Sequence, residues 1–195
     1  MKNLSLIVWY VFGSLFTQAF GSQPSYPIWP DSFHGTLKEK QGDLLSDVDL
    51  YYNYPKGVNV NIIRKKTDLN GTLWDIEWNN GTSYFFHPLT KDCQIIKFGV
   101  GILPPNWLEG ATYLGIEEVD SFQCNKWQKG DSDVPGMPFI TYWDDVETRK
   151  PFQYQFFSGS LLKFVDFEPI SEEEEKMVFQ VPDYCFSGSE IEAVE

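Results

Sequence analysis

DVDLYYNYPKGVNVNII, Asp47 to Ile63, decides the fold class. Val48, Leu50, Tyr52 and Tyr54 alternate with Asp47, Asp49, Tyr51 and Asn53. After Pro55-Lys56-Gly57, Val58, Val60 and Ile62 alternate with Asn59 and Asn61. A period of two, broken by proline and glycine, is the pattern of a β-hairpin. Proline presets φ at the first turn position, and glycine supplies a left-handed residue at the last. A three-residue loop would set Tyr54 opposite Val58, Tyr52 opposite Val60 and Leu50 opposite Ile62. One face is then apolar and the other largely Asp and Asn. A slip of one residue would set apolar side chains against polar ones, so the in-phase register is the expected one.

The same grammar extends along the chain. Leu73–Asn79 and Thr82–His87 flank Asn80-Gly81, the strongest short hairpin signal, because both residues tolerate positive φ. A two-residue turn there places Trp74, Ile76 and Trp78 beside Ser83, Phe85 and His87, with Asp75 and Glu77 on the other face beside Tyr84 and Phe86. Further strands are expected at 94–98, 111–119, 122–127, 139–143, 152–157 and 161–167. Pro104 to Gly110 is the expected short helix or helical turn, opened by proline and closed by glycine. Glu172–Glu175 reads as a solvated loop or one frayed turn. The fold class is mainly β: a single strongly curved antiparallel sheet, a half-barrel, with one short helix or helical turn.

Address is legible at the N-terminus. Lys2 precedes an apolar run from Leu4 to Phe20, and Ala19-Phe20-Gly21 offers small residues at the two positions a signal peptidase reads. Residues 1–21 are expected to be a cleaved signal peptide, 22–186 a single β domain, and 187–195 a loose acidic tail. No later stretch is long enough to cross a bilayer as a helix. The expected destination is extracellular, in the cell wall or apoplast. Cys93, Cys124 and Cys185 fit an oxidising compartment, where two pair and one is left over, with three pairings open. Asn70-Gly71-Thr72 and Asn80-Gly81-Thr82 are sequons at turns. The net charge of −13 disfavours phosphate backbones and anionic lipid surfaces, so no nucleic-acid partner is expected.

Motifs that carry chemistry are sparse. Asp144, Asp145 and Glu147 lie between aromatic runs in Phe139–Phe157 and are the candidate acids if the protein hydrolyses or transfers sugars. A solvated loop is the better reading of three acids beside Arg149 and Lys150. Asp75 and Glu77, about 7 Å apart at i, i+2 on a strand, are a candidate calcium or sugar-binding pair, outweighed by an exposed polar face. His34 and His87 are the only histidines and no cysteines sit at ligand spacing, so no metal site is expected. No glycine-rich phosphate loop or nucleophile elbow is present, and no cofactor is expected. Cys124 lacks a local basic partner and reads as buried or disulfide-bonded.

YYNYPKGVNVNIIR, LWDIEWNNGTSYFFHP, GILPPNWLEGATYLG, CNKW, YWDDVETRKPFQYQFF and VPDYCF together resemble an uncharacterised family of secreted plant proteins often labelled as transferring glycosyl groups. A nucleotide-sugar transferase calls for an α/β nucleotide-binding core, which this pattern lacks. Cys93, Pro105 to Ala111, Trp127, and Pro182 with Cys185 are more distantly similar to ependymin-related proteins. That likeness implies a fold like the bacterial lipoprotein carriers, a bent sheet enclosing an apolar ligand. It also implies that Cys93 pairs with Cys185 and leaves Cys124 single.

The function expected from these readings is non-catalytic binding of an apolar or lipid-like ligand on the concave face. The expected lining is Trp74, Ile76, Trp78 and Phe85, with Tyr52, Tyr154 and Phe156 behind them. Alternatives are an enzyme acting on cell-wall carbohydrate through Asp144, Asp145 or Glu147, and a module that binds glycan or protein.

Overall fold

The computed structural model describes residues 23–65, 71–131, 136–187 and 191–193. The signal segment and Asn70 lie outside the described residues. The strands are β1 (Ser32–Gln41), β2 (Leu44–Asn53), β3 (Val58–Lys65), β4 (Thr72–Trp78), β5 (Thr82–His87), β6 (Asp92–Lys97), β7 (Thr112–Val119), β8 (Phe122–Asp131), β9 (Pro138–Asp145), β10 (Pro151–Phe156), β11 (Leu161–Glu168) and β12 (Ile191–Ala193). They form one 12-stranded sheet in the order β12-β6-β5-β4-β3-β2-β1-β11-β10-β9-β8-β7. Two antiparallel meanders, β1–β6 and β7–β11, meet along the β1–β11 ladder. Among the described strands only β12 is parallel, laid on β6. It lies within the segment expected to be a loose tail from residue 187.

The sheet is strongly bent and not closed. In a flat sheet β4 and β10 would stand about 24 Å apart, five steps of about 4.8 Å. Here Glu77 of β4 and Tyr154 of β10 line the same cavity. The β6–β7 connection, residues 98–111, runs from one edge of the sheet to the other and lies inside the bend. Trp29 N–H donates to the Pro105 carbonyl at 2.9 Å, and the Tyr52 hydroxyl donates to the Leu103 carbonyl at 2.8 Å. Ile102, Trp107 and Leu108 thereby join Phe33, Leu37, Leu50, Trp127, Tyr142 and Phe164 in the inner core.

The outer face of β2–β6 is also covered. Tyr51, Val58, Val60, Ile62, Ile76 and Phe86 pack under α1 (Glu172–Val178) and a 3-10 turn (Asp183–Phe186). A Cys93–Cys185 disulfide fastens the turn to β6, and Cys124 is free and buried. Ser171 caps α1 in a reciprocal capping box with Glu174, so the acidic run is a true helix rather than a frayed turn. Pro104–Gly110, expected to be a short helix or helical turn, is a chain of i→i+3 hydrogen-bonded turns.

Double coverage explains why both hairpin registers differ by one residue from expectation. Asn53 faces Val58, Tyr51 faces Val60, and Leu50 faces Asn61. The loop is Tyr54–Gly57, closed by Gly57 N–H to the Tyr54 carbonyl at 2.8 Å, with Asn53 Oδ1 accepting from Lys56 N–H at 3.0 Å. Gly57 takes φ 66°, the left-handed value its position needs. In the second hairpin Trp74 faces Phe86 and Asp75 faces Phe85. Gly81, at φ 81°, ends a three-residue turn, Asn79–Gly81. The assumption of one wet face failed: Val58, Val60 and Ile62 of β3 turn outward with Tyr51 under α1 and the 3-10 turn, and Asn59, Asn61, Asp75 and Glu77 turn inward.

Candidate functional site

Inside the bend lies a cavity of about 330 Å³. Its walls come from alternate residues on opposite arms of the sheet and from the crossing segment. Val48, Leu50 and Tyr52 of β2 face Ile140 of β9, Tyr154 and Phe156 of β10 and Leu162 of β11. Trp29, Ile102, Leu103 and Trp107 complete the apolar wall. The volume sits at the lower end of the range of about 300–1,000 Å³ for ligand pockets. That suits one slender molecule rather than a lipid with several chains.

One part of the wall is polar. Asn59 and Asn61 of β3, Glu77 of β4, Glu39 of β1 and Ser160 line it. The Ser160 hydroxyl donates to Glu39 Oε1 at 2.8 Å. Asn61 Nδ2 donates to Asp75 Oδ2 at 3.4 Å and to Glu77 Oε1 at 3.3 Å. Asp75, only 7 % exposed, projects from the same face beside Glu77. Among the described residues no N–H donates to its Oδ1, and its carboxyl meets that of Glu77. Two carboxylates in this setting cannot both ionise cheaply. Burial first, then the Glu77 charge, push the Asp75 carboxyl up to about 9. Burial also raises Glu77, against hydrogen bonds from Asp75 and Asn59. Asp75 therefore keeps its proton at neutral pH and shares it with Glu77. Carboxyls in contact are closer than the about 5–10 Å that glycosidase pairs span across a substrate.

The expected lining divides between the two faces. Tyr52, Tyr154 and Phe156 line the cavity. Trp74, Ile76 and Trp78 do not: they occupy the outer face, in or against the cluster under α1 and the 3-10 turn. Phe85 pairs with Asp75 on the inner face of β5 but is not part of the cavity wall. The cause is the register described above. The loop acids are dispersed too. Asp144 is 0 % exposed, accepts from Trp127 Nε1 at 2.6 Å and Asn125 Nδ2 at 3.0 Å, and pairs with Arg149 Nε at 2.8 Å. Burial still raises its carboxyl. Asp145 caps the following turn through Thr148 N–H and Oγ1, both at 2.7 Å, which lowers its own. Glu147 is exposed. These three form no shared cleft, and Asp144 is a buried structural anchor rather than part of a wet loop. Burial pushes the Cys124 thiol up to about 11, so it is inert.

Asp75 and Glu77 were weighed in the sequence but set aside as solvent-facing. Glu39, Asn59, Asn61, Ser160 and the crossing residues Ile102, Leu103 and Trp107 were not singled out. One signal was present: the Asn-x-Asn of β3 and the Asp-x-Glu of β4 are polar rows on adjacent strands of an otherwise apolar layer.

Residues 28–185 match the family described as Domain of unknown function (DUF8395), and the chain belongs to it. No curated protein matches the chain. Among solved structures, an uncharacterized conserved protein from Thermus thermophilus is similar at TM-score 0.54 and 11 % identity, over 84 % of this chain and 90 % of that one. The likeness is one of fold alone. The MucA/MucB complex of Pseudomonas aeruginosa is similar at TM-score 0.43 and 12 % identity, over 79 % of this chain and 56 % of that one. A DUF1329 family protein from Desulfovibrio piger scores 0.32 at 11 % identity, over 76 % and 89 % of the two chains. These two are too distant to argue from, and none of the three bears on plant origin or glycosyl transfer.

Proposed function

We propose that the protein binds one slender amphiphile inside the bend of its sheet, without chemical change to it. The observation that carries this reading is the cavity itself: an apolar chamber of about 330 Å³ with a single polar wall. An apolar body would gain about 25 cal/mol for each Å² removed from water there. A carbohydrate polymer would need an open cleft with acids on both sides, and Asp144, Asp145 and Glu147 do not form one.

We also assign the protein to the secretory route. Pairing of Cys93 with Cys185 supports this. Asn80 is exposed at the β4–β5 tip, where a glycan is accommodated, and Asn70 is proposed as the second glycan site. A mobility shift on treatment with an N-glycosidase checks both.

Binding is tested with N-phenyl-1-naphthylamine, which is uncharged at neutral pH and fluoresces in apolar surroundings. The expected result is saturable 1:1 binding that is lost in Ile63→Trp, where an indole would occupy the chamber from a half-buried wall position. Circular dichroism checks that the variant folds. Absence of saturable binding to the wild type would sink the proposal.

A further inference from the structure

The polar wall has a sign. Its two ionisable carboxyls, Glu39 and Glu77, are joined by Asp75 behind Glu77. Among the described lining residues there is no lysine, arginine or histidine. The amides of Asn59 and Asn61 donate to this pair or flank it, and the Ser160 hydroxyl is already given to Glu39. Trp107 Nε1, on the apolar side of the chamber, is a buried donor without a partner among the described residues. It is neutral and cannot offset a second negative charge brought near Glu39 and Glu77.

Resting on the binding reading above, we infer that the ligand's polar end is a primary ammonium, seated on Glu77 between Asn59 and Asn61 with Asp75 behind, and that amphiphiles ending in carboxylate or phosphate are rejected. The geometry of the wall supports this choice. Glu77 lines the chamber, and Asp75, more than nine-tenths buried, stands behind it on the same face; among the described residues no N–H reaches Asp75 Oδ1, so the pair has one shared proton for two acids. An ammonium has three N–H donors and no acceptor, which matches a wall whose free capacity beside Glu77 is for accepting. A carboxylate head would find acceptors where it needs donors and like charge where it needs opposite charge. Charged hydrogen bonds of this kind are stronger than neutral ones, and the one proton that Asp75 shares with Glu77 leaves a net negative charge on the pair for a cation to meet.

The test displaces N-phenyl-1-naphthylamine from the intact mature chain with n-decylamine, n-decanol and decanoate at about pH 7. Decylamine is expected to compete at a concentration at least about tenfold below decanoate, with decanol between them. In Glu77→Gln the ratio of amine to alcohol competition, read within the variant itself, should shrink by about tenfold. Glu77→Gln keeps the shape of the side chain and removes a repelling charge, so it should fold. Should it not, the wild-type ratio of amine to carboxylate decides alone. Equal competition by decanoate and decylamine would overturn the inference and leave the binding reading standing. So would displacement by decanol only. Failure of the naphthylamine itself to bind would instead defeat the binding reading.

Discussion

Asp75→Asn isolates the feature that is hardest to explain as packing alone. Asparagine mimics the protonated acid: its Nδ2 can donate to Glu77 and its Oδ1 can accept from Asn61. Burial, then the Glu77 charge, raises the folded Asp75 carboxyl to about 9, against 3.8 for the free side chain. The native state thus holds a proton that the unfolded chain sheds. That contribution to stability is complete below the unfolded value and is lost as pH climbs through the folded one. Between those limits each pH unit removes up to about 1.4 kcal/mol. From about pH 6 to about pH 8 the loss approaches 3 kcal/mol. For a domain of this size, 1 kcal/mol moves Tm by about 2–4 °C, so wild-type Tm should fall by about 5–10 °C over that interval relative to the variant. Other titrating groups affect both proteins and cancel in the difference. Thermal melts followed by circular dichroism across the range supply the numbers. A wild-type pH slope that persists unchanged in Asp75→Asn would refute the claim of a shared proton.

Three more outcomes follow from named contacts. Replacing Cys93 and Cys185 by alanine opens a loop of 92 residues and should cost about 2–5 kcal/mol in urea unfolding, with the wild type approaching the variant under reducing conditions. Asp144→Ala strands the Trp127 and Asn125 donors and the Arg149 guanidinium, and should cost about 3–5 kcal/mol by the same assay, with Asp144→Asn milder. Gly101→Ala would place a Cβ 2.3 Å from the Asn79 carbonyl oxygen, where the crossing segment leaves the β4–β5 turn. It should cost about 1–3 kcal/mol and weaken naphthylamine binding, because the shifted segment carries Ile102 and Leu103 of the wall.

The class of fold was legible because alternation and turn residues are local signals. Val48, Leu50 and Tyr52 with Pro55 and Gly57 announce a hairpin whatever surrounds it. Register was not legible, because it depends on what covers the far side of the layer. Without α1 and the 3-10 turn in view, Tyr51 looked solvent-facing, and so did Asn59 and Asn61. Strand β1 escaped notice because Lys38, Glu39 and Lys40 mask the alternation of Phe33, Gly35 and Leu37. The polar wall escaped for a related reason. Asp75 and Glu77 are unfavourable in a buried sheet face, so reading for stability alone sends them outward. Local rules that fail at one place mark a site where stability has been given up for something else.

The most direct measurement is isotope-filtered NMR of N-phenyl-1-naphthylamine bound to the methyl-labelled protein. The account predicts contacts from the probe to methyls of Val48, Leu50, Ile140 and Leu162, which face one another across the chamber. Contacts confined to exposed Leu114 and Ile116 on the outer edge strand, or none at saturating probe, would contradict it.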